Sequence, residues 1–182
     1  MDGPDAPIFP EIGRHIKQID QALVFEIGMA PQGKKEFAVS ADCKEELFPL
    51  VEKIVAAAPE VKGWKIVAFR QKTPPETLKG LAIAAQPAED GKVIPGAAST
   101  GVAVKDMRFA LTKEGGKAKV TIFIKDFKDD GPQSHMAQML LNQAVGEYDL
   151  VKKIKDVEYK SDTAPEAKDA KPFEELGAAL DK

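Results

Sequence analysis

Cys43 is the only cysteine in the chain, so no disulfide closes within it. The two histidines, His15 and His135, have no cysteine or histidine close by in sequence, which argues against a zinc site. Arginine is scarce as well. Arg14, Arg70 and Arg108 are the only arginines among 26 basic residues, a poor supply of the bidentate groups that clamp phosphates or read base edges, so nucleic acid is not an expected partner. No apolar run approaches the roughly 20 residues of a membrane span, and no basic-then-apolar leader follows Met1. The expected setting is cytoplasmic, with no membrane partner. A phosphate loop is missing too: Pro95 to Gly101, PGAASTG, lacks the Gly-Lys-Ser/Thr ending. It reads as the end of a long irregular loop from Pro87 to Gly101, of a length that can rim a binding site.

What remains is the composition of an ordinary soluble globular protein, 43% hydrophobic and 30% charged over 182 residues. That length supports one domain with a real core. The net charge of −3 is unevenly spread, because eight acids and four lysines fall between Asp156 and the end while the rest is close to neutral.

The clearest structural signal runs from Asp42 to Arg70, DCKEELFPLVEKIVAAAPEVKGWKIVAFR. Asp42 with Glu45 three residues on has the pattern of a capping box. Leu47, Leu50, Val51, Ile54, Val55 and Ala58 then recur at helical spacing, with Pro49 kinking the first turns or delaying the start to near Phe48. After Pro59 and Gly63, Trp64 to Arg70 is apolar on both faces and reads as an interior strand. Cys43 at a helix start is the one position where a thiol pKa would be lowered, although a partly buried small residue is the simpler reading.

Before this unit, residues 1–10 read as a loose proline-rich terminus. Ile12, Ile16 and Ile19 give a short amphipathic helix with His15 on or beside its polar side. Leu23 to Met29 and Glu36 to Ala41 form an antiparallel hairpin with Glu26 inside an otherwise apolar strand. Beyond Arg70, Thr73-Pro74-Pro75 breaks the strand, and Leu78 to Ala85 fits helix or strand. Val102 to Lys113 and Lys117 to Phe127 flank Glu114-Gly115-Gly116, a second hairpin. Gln133 to Val145 carries Met136, Met139, Leu140 and Ala144 at helical spacing, with His135 in its first turns and Gly146 ending it. Val151 to Ser161 reads as an edge strand around Val157 and Tyr159. Residues 162–171 read as a disordered linker, and Pro172 opens an amphipathic turn with Phe173, Leu176 and Leu180 on one side, which either docks on the body or recruits a partner.

The expected architecture is a single α+β domain over residues 1–161, a mostly antiparallel sheet of about five strands with two main helices on one face, followed by linker and short helix at 162–182. No cofactor or metal motif emerges. The polar residues worth testing are Glu26, Arg70, Glu147, Tyr148 and Asp149: an acid in an apolar strand, a rare arginine where a strand ends, and two acids bracketing a tyrosine past a glycine cap. Two functional classes follow. One is a non-enzymatic binding or regulatory module, partnered by a protein or by a second copy. The other uses Glu26, Arg70, Glu147 and Asp149 for acid–base work or to hold a divalent cation.

The blocks SADCKEELFPLVEKIVAAAPEVKGWKIVAFR at Ser40 to Arg70 and LLNQAVGEYDL at Leu140 to Leu150 resemble a family of bacterial proteins with a domain of unknown function. The resemblance implies a bacterial, intracellular setting. It assigns no catalytic residue.

Overall fold

The computed structural model describes residues 8–30, 33–85, 88–89, 92–93, 100–128 and 131–182. The chain is α+β, and its contacts gather into two compact units, Met1–Gln71 and Lys72–Lys182. The loose terminus expected at residues 1–7, the turn residues 31–32 and 129–130, and positions 87, 90–91 and 94–99 of the long loop lie outside the described residues. Ile8 to Pro10 already belong to a helix.

The first unit runs α1 (Ile8–Ile19), β1 (Val24–Met29), β2 (Lys35–Ser40), α2 (Phe48–Ala56) and β3 (Trp64–Ala68). The hairpin β1–β2 is antiparallel as the alternation predicts, pairing Phe25 with Val39 and Ile27 with Phe37. β3 then pairs parallel to β2, with Phe37 opposite Ile66 and Val39 opposite Ala68. The helix between them makes this possible, since parallel neighbours need a crossover of about a dozen residues or more and cannot be joined by a tight turn. The strand order is β1-β2-β3, so β3 is an edge strand of the described sheet and not an interior one.

The capping box does not form. Asp42 and Cys43 adopt φ of 51° and 63°, a 3-10 turn occupies Glu45–Leu47, and α2 starts only at Phe48 without a side-chain cap. Pro49 thereby falls in the first helical turn, where its missing N–H costs nothing. The delayed start anticipated from Pro49 is the one adopted.

The second unit opens with α3 (Pro75–Leu78), β4 (Ala82–Ala85), the two-residue strands β5 (Ala88–Glu89) and β6 (Lys92–Val93), and β7 (Thr100–Ala103). The ambiguous Leu78 to Ala85 segment is thus helix and then strand. β4 pairs antiparallel with β7, and β5 with β6. β8 (Met107–Glu114) and β9 (Lys117–Ile124) form the long hairpin, turning on Gly115 and Gly116, both at positive φ as the Gly-Gly signal requires. α4 (Gln133–Val145) and α5 (Glu147–Lys153) lead to β10 (Ile154–Ser161), parallel to β9; β11 (Lys171–Pro172) pairs antiparallel with β8. The order is β10-β9-β8-β11. In place of one antiparallel sheet the chain has two principal sheets, of three and four strands, each containing one helix-spanned parallel pair.

The two units share a plan: an antiparallel hairpin, a helical crossover, and a third strand parallel to the second. Their registers correspond residue by residue. Past β3, the Phe69 N–H donates to the Val39 carbonyl at 2.8 Å; past β10, Asp162 N–H donates to Ile124 at 3.0 Å. Aligned on those bonds, Phe25, Ile27 and Met29 match Met107, Phe109 and Leu111; Phe37 and Val39 match Ile122 and Ile124; Trp64 and Ile66 match Val157 and Tyr159.

In the second unit this face is the floor of the main core, where Phe109, Val120, Ile122 and Ile124 pack with Met136, Ala137, Leu140, Leu141, Ala144 and Val145 of α4. Met139 is 47% exposed, because the buried stripe runs through Ala137 and Leu141 and leaves Met139 to one side. The C-terminal segment docks. Phe173, Leu176 and Leu180, the last two in α6 (Leu176–Leu180), are buried in the same cluster, and Ala167 is buried in the 3-10 turn Pro165–Asp169 where a disordered linker was expected. That role excludes a free recruiting helix. β10 is an edge strand as expected, and its polar positions are charged: Glu158 pairs with Lys119 at 2.6 Å, and Lys160 with Glu166 at 3.0 Å, an arrangement that discourages further strand pairing.

The docking of α6 depends on one glycine. A Cβ on Gly177 would lie 2.6 Å from the Ala144 carbonyl oxygen, a backbone atom that cannot swing away. Gly177→Ala gains about 1 kcal/mol of helix propensity, yet overpacking of this kind costs ~1–3 kcal/mol. We expect a net loss, read as a lower denaturant midpoint at unchanged m-value; a midpoint at or above the parent's would show that α6 does not press on α4.

Candidate functional site

Glu26 and Arg70 come together in the first unit. Glu26 sits mid-strand on β1, and Arg70 follows the end of β3. Arg70 Nε is 3.2 Å from Glu26 Oε2, and its Nη2 is 3.1 Å from Asp42 Oδ1. The Arg70 side chain is only 21% exposed, and its guanidinium bridges two half-exposed carboxylates.

The backbone sets this up. Phe69 adopts φ of 68°, an outlier for a bulky residue that costs on the order of 1–3 kcal/mol. Its N–H bond to Val39 and its ring contact with Phe48, centroids 4.3 Å apart, offset that strain. The left-handed residue ends β3 and turns the following side chain over the strand ends. Asp42 occupies a second left-handed position, stabilised by its N–H donating to Ser40 Oγ at 3.0 Å. The carboxylate expected to cap a helix instead receives a guanidinium N–H.

Glu147, Tyr148 and Asp149 lie in the second unit at the start of α5, after Gly146 at φ 73°. Glu147 is fully buried, Tyr148 is 45% exposed, and the Asp149 side chain is largely buried. Asp149 belongs to a four-residue ion network. Its Oδ2 is 2.6 Å from Lys72 Nζ and 3.0 Å from Lys153 Nζ, while Asp181 Oδ1 lies 2.9 Å from Lys72 and 2.7 Å from Lys153. The network ties the end of α6 to α5 and to the start of the unit.

Its charges reinforce one another. Burial alone pulls the Lys72 ammonium down, but hydrogen bonds and charge from Asp149 and Asp181 outweigh it and hold the pKa above the ordinary value. Lys153 is raised by its hydrogen bonds to Asp181 and Asp149. Asp181 is lowered, first by Lys153 and then by Lys72. Tyr159, whose hydroxyl donates to Gln138 Oε1 at 2.6 Å, is pushed by burial up to about 12.

Of the five residues singled out in the sequence, the structure therefore joins Glu26 to Arg70 in one unit and sets Glu147, Tyr148 and Asp149 on one helix in the other. Asp42, Lys72, Lys153 and Asp181 were not foreseen as partners. The spacing of Asp149 and Lys153 is an i,i+4 signal that was available. Lys72 and Asp181 are separated by 109 positions, and no local pattern announces them. Cys43 lies in the turn before the 3-10 helix and not at the start of α2. His15 and His135 are both exposed. Among the described residues, no three or more His, Cys, Asp or Glu side chains are arranged to hold a metal ion, and no helix is long and apolar enough to cross a membrane. No protein-family model matches the chain, and no curated protein matches it at a significant level.

The network has a definite pH signature. Asp181 titrates below its ordinary value in the fold, so its contribution is present above the unfolded value and disappears as pH falls through the folded one. The lysine contributions are full below their unfolded value of 10.5 and disappear as pH rises through the raised folded values. Because these groups are partly solvated, Asp181→Asn should cost only about 1 kcal/mol near neutral pH. Thermal melts should show that loss shrinking in strong acid and in high salt; a loss unchanged by both would mean that the charges do not hold α6.

Tyr159 gives a second alkaline reading. Since the fold retains the phenol proton, the associated stability is present below pH 10.0 and is lost as pH rises toward about 12. Tyrosinate absorbance should show a late step that Tyr159→Phe removes.

Proposed function

We propose that the chain is a non-enzymatic binding or regulatory module. The observation that carries this reading is that Glu26, Arg70 and Asp149 are matched by opposite charges: Arg70 stands between Glu26 and Asp42, and Lys72 and Lys153 stand between Asp149 and Asp181. Acid–base catalysis needs a group poised near the working pH. Here the shifts run the other way, with the lysines raised and Asp181 lowered, so each group is held in its ordinary ionised form. The space where a divalent cation would sit between Glu26 and Asp42 is taken by a guanidinium.

A cytoplasmic, bacterial setting accompanies this reading, on the strength of the family resemblance. The partner is a protein or a second copy rather than nucleic acid, given only three arginines.

The competing reading is a carboxylate enzyme or cation-binding protein built on Glu26, Arg70, Glu147 and Asp149. Melting in millimolar Mg²⁺, Ca²⁺ and Mn²⁺ separates the two, because a ligand bound only by the native state raises its stability. The module should shift by no more than about 1 °C with each ion. A rise of several degrees that Glu26→Gln or Asp149→Asn abolishes would overturn the proposal in favour of cation chemistry.

A further inference from the structure

Five of the exposed large apolar side chains, Ile8, Phe9, Ile19, Met29 and Val61, belong to the first unit. One sheet face there is graded from closed to open. In the row Phe25, Val39, Ala68, the central Val39 is buried. The next row, Ile27, Phe37 and Ile66, is half-exposed although Phe37 stacks on Phe25 at 5.4 Å. The last row is Met29, Lys35 and Trp64, with Met29 69% exposed.

α1 covers the Phe25 end of this face, since a Cβ on Gly13 would stand 3.6 Å from that ring. At the open end, Val55, Ala58, Pro59, Val61, Trp64 and Ile66 line a pocket of about 240 Å³ with Glu60 on its rim. That volume falls below the ~300–1,000 Å³ of small-molecule sites. It is suited to one anchoring side chain.

The surround is basic. Lys34, Lys35, Lys62 and Lys65 are all exposed. Lys65 pairs with Glu36, but among the described residues Lys34, Lys35 and Lys62 form no ion pair, and they outnumber Glu60. Lys35 Nζ lies 5.3 Å from the centre of the Trp64 ring, and its backbone N–H donates to the Gly63 carbonyl at 3.1 Å, so the lysine-bearing segments adjoin the pocket.

In the second unit the matching surface is largely covered, with Val120 buried and Leu111 and Val157 partly buried. There the face in matching register lies in a core completed by Phe173, Leu176 and Leu180, carried on an acidic segment with Glu174, Glu175 and Asp181. We infer that the open face of the first unit, at Met29, Val61 and Trp64 with its lysine surround, docks an acidic amphipathic segment of a partner protein. An apolar side chain fills the Trp64 pocket, and carboxylates meet Lys34, Lys35 and Lys62. This deepens the binding-module reading and rests on it.

Trp64 is the only tryptophan, so its emission reports this face in the full chain. The probe is a synthetic peptide with the sequence of residues 171–182, KPFEELGAALDK, titrated beside the same peptide carrying Glu174→Lys, Glu175→Lys and Asp181→Lys. The acidic peptide should change Trp64 emission saturably, and the lysine-bearing peptide should not. Charge reversal by Lys34→Glu with Lys62→Glu, at exposed positions that leave the melt unchanged, should weaken binding by about tenfold, and raised salt should weaken it likewise.

Four outcomes overturn the inference: no response at millimolar acidic peptide; equal response to both peptides; a response only to phosphatidylserine vesicles, which assigns the face to a membrane surface; or a peptide-free, concentration-dependent change with doubled mass, which assigns it to a second copy. A silent peptide titration together with silent metal melts removes this docking face alone. The module reading falls on the metal melts.

Discussion

A strand joined to its neighbour through a helical crossover can run parallel to it, as one joined by a tight turn cannot, and this connection organises both units. In each, a hairpin supplies two antiparallel strands and α2, or α4 with α5, carries the chain back to add a third in parallel. The parallel step places the ends of β2 and β3 side by side. Asp42 and Arg70, which follow those ends and are 28 positions apart, can then form an ion pair. Without the crossover, an antiparallel third strand would put Arg70 at the opposite end of the sheet from Asp42. The left-handed Phe69 and Asp42 follow from the same requirement, because both strands must stop and turn at one edge while keeping a buried ring and a hydrogen bond in place.

Local chemistry made much of this legible. The two hairpins follow from alternation and from Gly115-Gly116, and the late start of α2 is one of the two outcomes that Pro49 allowed. Gly146, at φ 73°, stops α4 where expected. What failed was pairing that depends on distant residues. Trp64 to Ala68 is apolar enough for an interior strand, yet its edge position depends on what lies beyond it, and nothing within the segment reports that. Asp42 with Glu45 satisfies a capping pattern, but an arginine far along the chain and a proline inside the first turn compete for the same residues, and they win.

The candidate site divides along the same line. Glu26 and Arg70 stood out because each is unusual in its own segment, a charge in an apolar strand and a rare guanidinium at a strand end. Lys72 and Asp181 are unremarkable in composition and acquire importance only once α6 has docked. The resemblance between the two halves was invisible for a related reason. Met29 and Leu111, or Trp64 and Val157, share size and hydrophobicity but not identity, so only the registers of the hydrogen-bonded strands reveal the correspondence.

That correspondence carries a physical consequence. A face of half-buried aromatic and aliphatic side chains gains roughly 25 cal/mol for each Å² removed from water. The second unit collects this gain from Phe173, Leu176 and Leu180, and the Lys72–Asp149–Lys153–Asp181 network holds the covering segment in register. The first unit, built to the same plan, leaves Met29 and the Trp64 pocket uncovered and rings them with lysines. Interior use alone would favour neutral or apolar neighbours at such positions, since a lysine on an apolar rim adds no burial of its own beyond its stem. Positive charge around a pocket beside exposed apolar side chains is instead the arrangement that selects among covering segments by their charge. The difference between two halves of one plan, a largely covered copy with acidic cover and an open copy with basic surround, is what supports the proposed docking face away from the paired carboxylates.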